Sequence, residues 1–93
     1  MMIDIKILSP QGTVYDGKVL HVTFPGEMGV FAVYPSHAPI ISALTGGNIL
    51  CFLENGEIRT FPVRNGVVEV ENDRATVCIE TANDKNQDYG QDI

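Results

Sequence analysis

Apolar and polar residues alternate with a period of two along several stretches of this chain. That period places successive side chains on opposite faces of a β-strand, whereas an amphipathic helix repeats every 3.6 residues. Alternation therefore predicts strands that bury one face, and no stretch shows the helical repeat. The apolar members of the clearest runs are Ile3, Ile5 and Ile7, then Leu20, Val22 and Phe24, and finally Ala75, Val77 and Ile79.

Short turn sequences separate these runs at intervals of roughly ten residues. Asparagine followed by glycine favours tight hairpins, because both residues tolerate the positive φ that such turns need. The sequence thus predicts an all-β fold, an antiparallel β-sandwich or flattened barrel of roughly eight to ten short strands. The turn sequences are Gln11-Gly12, Asp16-Gly17, Gly46-Gly47, Asn55-Gly56, Asn65-Gly66 and Asn72-Asp73.

Residues 24–41, FPGEMGVFAVYPSHAPII, combine apolar β-forming residues with several prolines and glycines. Because proline fixes φ and lacks a backbone donor, the segment predicts a turn, a short strand and a second turn. His37 falls in the second turn. Val30 and Phe31 are adjacent in the predicted strand and must point to opposite faces, so we expect one of them to lie outside the core.

This segment resembles the signature of the epsilon subunit of F-type ATP synthase, called delta in mitochondria, in the N-terminal β-sandwich domain of that family. Residues 5–10 resemble the family's first strand, Asp16-Gly17 its first turn, and residues 66–77 its closing hairpin. Ala32 and Ser36 stand where the family commonly has glycine. Both are small, so we expect local backbone adjustment and retention of the domain.

The resemblance covers about residues 3–82 and implies one β-sandwich domain at residues 1–82. Residues 83–93 form a polar acidic tail with few apolar side chains, which we expect to be flexible. In the resembled family a two-helix C-terminal domain commonly begins here and is linked to inhibition of ATP hydrolysis. We expect this chain to lack that domain and its inhibitory effect.

By resemblance, the protein is a non-catalytic rotor subunit of the central stalk in a proton- or ion-translocating ATP synthase. It would connect the gamma subunit to the polar loops of the membrane c-ring and couple ion flow to ATP synthesis. The resemblance implies a c-ring contact at Val30 and gamma contacts at Ser9, His37 and Ser42. His37 also suits a structural role in its loop, and the two roles are compatible. The implied location is peripheral, at the cytoplasmic face of the bacterial inner membrane.

Composition restricts the other possibilities. The chain has 93 residues and a mass of 10.2 kDa, a size that suits one core. Its net charge of -6 disfavours binding to nucleic acid. Neither a signal peptide nor a spanning helix is expected, so any membrane contact would be indirect, through the complex. Cys51 and Cys78 lie in predicted strands, where we expect buried free thiols.

Residues with catalytic or metal-binding potential are dispersed. Ser9, Ser36 and Ser42 lack the sequence context of an activated nucleophile, and His21 and His37 lie sixteen residues apart. We therefore expect no enzymatic activity, no metal and no cofactor. The competing hypothesis is a free-standing small β-sandwich that binds a ligand, which would need a concave face lined with aromatic residues.

Overall fold

A computed structural model describes residues 1–81 of the chain. All regular structure in this range is β-strand, and nine strands follow one another with short connections. Within these residues no helix is long and apolar enough to cross a membrane. The tail predicted at residues 83–93 lies outside the described residues. The strands are β1 (Ile3–Ser9), β2 (Gly12–Val19), β3 (His21–Gly26), β4 (Gly29–Val33), β5 (Ile40–Leu44), β6 (Gly47–Phe52), β7 (Ile58–Val63), β8 (Asn65–Glu71) and β9 (Arg74–Glu80).

The strands form one continuous sheet that consists of two halves. One half has the order β2-β1-β9-β8-β5, and the other has the order β4-β3-β6-β7. They join where Gly26 of β3 pairs with Leu44 of β5. Two backbone hydrogen bonds reinforce this junction, from Glu27 N to Ala43 O at 3.1 Å and from Thr45 N to Pro25 O at 2.8 Å.

A single hydrophobic core lies between the two halves, and every strand contributes to it. The alternation in the sequence decides which side chains enter, so Ile3, Ile5 and Ile7 are buried while Asp4 and Lys6 are exposed. No polar or charged residue within positions 1–81 is buried. The predicted all-β sandwich is therefore confirmed.

Side chains close the far edges of the sheet against each other. Tyr15 of β2 packs on Phe61 of β7 with ring centroids 5.2 Å apart, and the Arg59 guanidinium lies 5.9 Å from the Tyr15 ring. These contacts join the first and last strands of the sheet order, which accounts for the flattened-barrel character expected from the sequence.

One ladder departs from the antiparallel pattern. β1 and β9 run parallel, with Ile5 opposite Ala75 and Ile7 opposite Val77. Hairpin signals describe only strands that follow each other in sequence, and β1 and β9 lie at opposite ends of the domain. The pairing is set instead by the two apolar faces, which bury together in the same register.

Two predicted turns have another structure. Asp16-Gly17 lies inside β2, where it pairs with Lys6 and Ile5, and the actual turn is at Pro10-Gln11. Asn65-Gly66 begins β8 and does not form a hairpin, because β7 pairs with β6 while β8 pairs with β5 and β9. Asn72 and Asp73 do form a tight hairpin, with φ values of 55° and 58°.

The two cysteines differ in environment. Cys51 is buried as predicted, whereas the prediction of a buried Cys78 is wrong because that side chain is exposed. Ala75, Val77 and Ile79 take the inner face of β9, so alternation turns Cys78 outward. Leu20 is also 38% exposed, because β3 begins only at the next residue.

Candidate partner-binding surface

The hairpin between β3 and β4 projects apolar side chains away from the core. Gly26 pairs with Gly29, so Glu27 and Met28 form its tip, and Gly29 adopts a φ of 126°. Met28 is fully exposed and Val30 is 77% exposed. Phe31 instead packs on Phe24, with ring centroids 5.5 Å apart. The prediction that Val30 and Phe31 point to opposite faces is confirmed.

Gly26 allows this hairpin to close tightly. A Cβ atom at this position would lie 2.8 Å from both the Gly29 carbonyl oxygen and the Phe31 ring. Contacts that short force the backbone or the ring to move. The glycine therefore permits the close pairing that places Val30 beyond the core.

His37 lies in the loop between β4 and β5, and two backbone hydrogen bonds hold the first half of this loop. Its backbone N donates to Tyr34 O at 3.1 Å, and the preceding Ser36 N donates to the Asp73 carboxylate at 2.6 Å. Ser36 accommodates this geometry with a φ of 69°. The geometry of the loop thus depends on the β8–β9 hairpin, although the loop and this hairpin lie far apart in the sequence.

The His37 ring has a defined orientation. Nδ1 lies 2.7 Å from the Ala38 carbonyl oxygen, and because a carbonyl only accepts, Nδ1 carries the donated proton. In the neutral ring, Nε2 is then an acceptor. The side chain is half-buried, so it combines the structural role considered for it with an accessible edge.

Ser42 and Ile41 lie next to each other on β5 and face opposite sides. Ser42 pairs with the buried Val68 and is half-buried, and its hydroxyl donates to Ala43 O at 3.3 Å. Ile41 pairs with Glu69 and is 74% exposed. Ser42 therefore lies at the rim of the core, and Ile41 is the more accessible of the two.

Ser9 is the last residue of β1, and its side chain bonds to the turn that follows. Its Oγ accepts a hydrogen bond from Gln11 N at 3.2 Å and lies 3.4 Å from Gly12 O. Val68, Val77 and Ile7 form one row across β8, β9 and β1 beside Ser42. Ser9 lies two residues beyond Ile7 on β1, so it is three strands away from Ser42, roughly 14 Å across the strands at the usual spacing, plus the offset along β1.

The four candidate residues do not form one cluster. Val30 lies at the tip end of β4, whereas His37 lies in the loop beyond its other end. His37 lies in the loop that leads into β5, and Ser42 lies on β5 itself. Ser9 lies on β1, which β8 and β9 separate from β5. The arrangement suits contacts with more than one neighbour.

Two exposed apolar residues of this surface were missed from the sequence. Met28 and Ile41 belong to the segment that resembles the family signature, but neither was among the predicted contact residues. Ile40 and Ile41 carry the same signal as Val30 and Phe31, since adjacent apolar residues in a strand cannot both face the core.

A stack of three rings lies on the outer face of the other half of the sheet. His21 lies between Tyr34, at 4.6 Å, and Phe52, at 4.2 Å, with nearly parallel ring planes. The stack ties the end of β4 to β3 and β6. It therefore holds the end of β4 that lies away from Val30.

Charged groups supply little chemistry in residues 1–81. The Lys18 ammonium lies 2.6 Å from the Asp4 carboxylate and lowers the pKa of that carboxyl by its hydrogen bond. Burial raises the pKa of the Cys51 thiol to about 11, so the thiol is protonated at neutral pH. No group of three metal-ligating side chains occurs in this part of the chain.

The sequence and fold match a known protein family. The sequence model described as the beta-sandwich domain of the ATP synthase delta/epsilon chain matches residues 2–85. The chain belongs to this ATP synthase delta/epsilon family. Its β-sandwich domain is the part of the family to which the described residues correspond.

Individual members of the delta/epsilon family support this assignment. The ATP synthase epsilon chain of Nitratiruptor sp. is 38% identical over 78 residues, which cover 84% of this chain and 60% of the relative. The epsilon chain of Rickettsia felis is 36% identical, with coverage of 84% and 71%. The chain thus spans about three fifths of the length of several relatives that it matches.

Solved structures show the same fold at low sequence identity. A chain in the cryo-EM structure of the Euglena gracilis mitochondrial ATP synthase aligns with a TM-score of 0.79 and 15% identity, covering 84% of this chain and 50% of that one. A chain of the Tetrahymena thermophila mitochondrial ATP synthase central stalk and c-ring aligns with a TM-score of 0.65 and 12% identity, covering 85% and 63%.

Proposed function

We propose that this protein is a non-catalytic rotor subunit in the central stalk of an F-type ATP synthase. The observation that carries the proposal is the match of residues 2–85 to the β-sandwich domain of the delta/epsilon chain. In this role it connects the gamma subunit to the c-ring and couples ion flow to ATP synthesis. The aligned solved structures, which are of ATP synthase complexes, support the same assembly.

The geometry supports a division of contacts between the two neighbours. Val30, together with Met28, forms an exposed apolar tip, which is our candidate for the contact with the c-ring loops. His37 offers Nε2 as an acceptor, and Ser42 and Ser9 offer hydroxyl groups toward gamma. Because Ser42 lies at the core rim, its neighbour Ile41 supplies most of the accessible area there.

A rotor connector must transmit torque without deforming. The described domain suits this demand because its core is entirely apolar and the sheet edges are joined by side chains and backbone hydrogen bonds. Close-packed interiors have low compressibility and transmit strain. The protein would act peripherally at the cytoplasmic face of the bacterial inner membrane, contacting the membrane only through the complex.

The alternative, a free-standing ligand-binding sandwich, has less support. In residues 1–81, the apolar depression beside Cys78 is lined by Leu8, Pro10 and Ile79 and has no aromatic side chain. The depression beside Glu69 and Glu71 is polar. Neither resembles the aromatic-lined concave face that a sugar-binding site would need.

Co-purification with gamma tests the proposed function. The separately purified protein and gamma subunit, mixed at micromolar concentration, should elute together from a size-exclusion column. Circular dichroism of each protein before mixing shows that both are folded. Separate elution of two folded proteins would exclude a stable complex with gamma and thereby contradict the proposal.

A further inference from the structure

The edge of β4 presents backbone groups that point away from the rest of the sheet. Pro25 O accepts a hydrogen bond from Thr45, and Glu27 N donates to Ala43, so the odd-numbered residues of β3 face β5 and β6. The even-numbered residues of β3 therefore bond to β4, since alternate residues of a strand bond to opposite neighbours. Their partners in β4 are Gly29, Phe31 and Val33.

Val30 and Ala32 consequently direct their N–H and C=O groups outward. Within residues 1–81, β4 pairs only with β3, and the hydrogen bonds of turns and loops do not involve Val30 or Ala32. Tyr34 O, the next group in the row, is occupied by His37 N. An open row of donors and acceptors is a template for another extended chain.

The other edges of the described sheet are protected. β2 carries an irregularity opposite Ile7 and Leu8, and its Tyr15 covers Phe61. β7 contains Pro62 and a charged Arg59. The open side of β5 is partly occupied by the Glu27 bond to Ala43. β4 contains neither a charge nor a proline, which are the usual means of blocking an edge.

We infer that an extended segment of a neighbouring subunit adds to β4 as a further strand, pairing with the backbone of Val30 and Ala32. Its side chains would alternate between the exposed Val30 on one face and the half-buried Phe31 on the other, so alternate positions should be apolar. Only the source of the added strand, a neighbouring subunit, rests on the proposed function; the open edge of β4 does not.

Charge indicates what should flank the added strand. Residues 28–36 contain no acidic or basic side chain, whereas Glu27 at one end is exposed and the whole chain carries a net charge of -6. A segment with lysine or arginine at its ends is therefore attracted to this edge. A second copy of the chain would bring the same negative charge and is disfavoured.

Amide NMR tests this inference directly. The probe is a short peptide of alternating threonine and valine with lysine at both ends, added to isotope-labelled protein. The amide signals of Val30 and Ala32 should shift, and their hydrogen exchange should slow roughly tenfold or more as they become bonded. The same peptide with N-methylated valines, which lacks those donors, should not produce either effect.

A protein variant provides the matching control. Ala32→Pro removes the outward N–H and should abolish peptide binding, since proline is tolerated where an edge N–H faces solvent. Ala32→Val keeps that N–H and should bind like the original protein. If Ala32→Pro does not fold, the N-methylated peptide still distinguishes backbone pairing from side-chain contact.

Several outcomes would overturn the inference. They are no binding of the unmodified peptide, equal binding of the methylated peptide, or shifts confined to residues other than those of β4. A concentration-dependent dimer that is lost in Ala32→Pro would identify a second copy as the occupant. If the assembled ATP synthase contains the protein but the Val30 and Ala32 amides exchange at unchanged rates, strand addition is wrong while the proposed function stands.

Discussion

Ser36 holds a left-handed backbone conformation although it has a side chain. Its φ of 69° allows its N–H to reach the Asp73 carboxylate at 2.6 Å, which ties the His37 loop to the β8–β9 hairpin. Residues other than glycine lose roughly 1–2 kcal/mol in this conformation. The loop thus keeps its geometry at a cost in conformational energy, at a position where the family commonly has glycine.

We expect Ser36→Gly to stabilise the domain by about 0.5–1 kcal/mol. Relief of the left-handed strain outweighs the extra freedom that glycine gains in the unfolded chain, and the backbone bond to Asp73 is retained. Urea unfolding monitored by circular dichroism measures the change in the free energy of unfolding.

Ala38→Gly is the matched control for this substitution. Ala38 is exposed in the same loop and is not among the residues with positive φ, so it should lose about 0.5–1 kcal/mol. Equal destabilisation of both variants would show that Ser36 is not strained.

At the scale of single elements, the sequence identified strands more reliably than their partners. The alternation around Ile5 and Val77 placed β1 and β9 correctly, because burial of one face follows directly from a period of two. It could not indicate that these strands are parallel neighbours. Asp16-Gly17 has the composition of a turn, yet it lies within β2 because pairing with β1 and burial of Val19 outweigh local preference.

Contact residues were predictable only in part. The resemblance supplied Ser9, Val30, His37 and Ser42 as positions, but their accessibility depends on which face of each strand meets the core. Alternation suggested that either Val30 or Phe31 would be exposed and could not choose between them. Whether the outward groups of β4 are unpaired depends on which alternate residues of β3 bond to β4. The sequence does not indicate this choice.

Gly66 is required for close approach of strands and not for a turn. A Cβ atom there would collide with the carbonyl oxygen of Cys78 and lie 3.0 Å from the Cα of Ile79. Because the obstacles are backbone atoms of the paired β9, no side-chain rotation relieves them. Gly66→Ala should therefore destabilise the domain by about 1–3 kcal/mol, measured by thermal or urea unfolding.

Gly46→Ala is the control for Gly66→Ala. A Cβ atom at Gly46 would approach no atom outside its immediate chain neighbours closer than 3.9 Å, and its φ is not in the left-handed region. We expect a change of less than about 0.5 kcal/mol there. A similar loss at both positions would mean that the cost comes from replacing any glycine near the junction, and the close-approach explanation would fail.

At the scale of the whole molecule, the candidate contacts lie in separate places on one rigid domain. The apolar tip with Met28 and Val30 lies at one end of β4, and the His37 loop follows its other end. The three stacked rings of Tyr34, His21 and Phe52 hold the end of β4 next to the His37 loop. A connector built in this way can contact two neighbours at once without changing shape.

This separation predicts that the two contacts can be lost independently. Val30→Arg places a charge that would be desolvated without a partner at the proposed c-ring contact, and His37→Ala removes an oriented acceptor from the proposed gamma contact. We expect Val30→Arg to reduce co-sedimentation with vesicles that contain the c-ring and gamma, while binding to isolated gamma stays unchanged. His37→Ala should weaken binding to gamma about tenfold, measured by titration calorimetry.

Ile58→Arg, at an exposed aliphatic residue of β7, should alter neither measurement. If Val30→Arg and His37→Ala weaken gamma binding equally while both remain folded, the contacts belong to one surface and the proposed division between gamma and the ring is wrong.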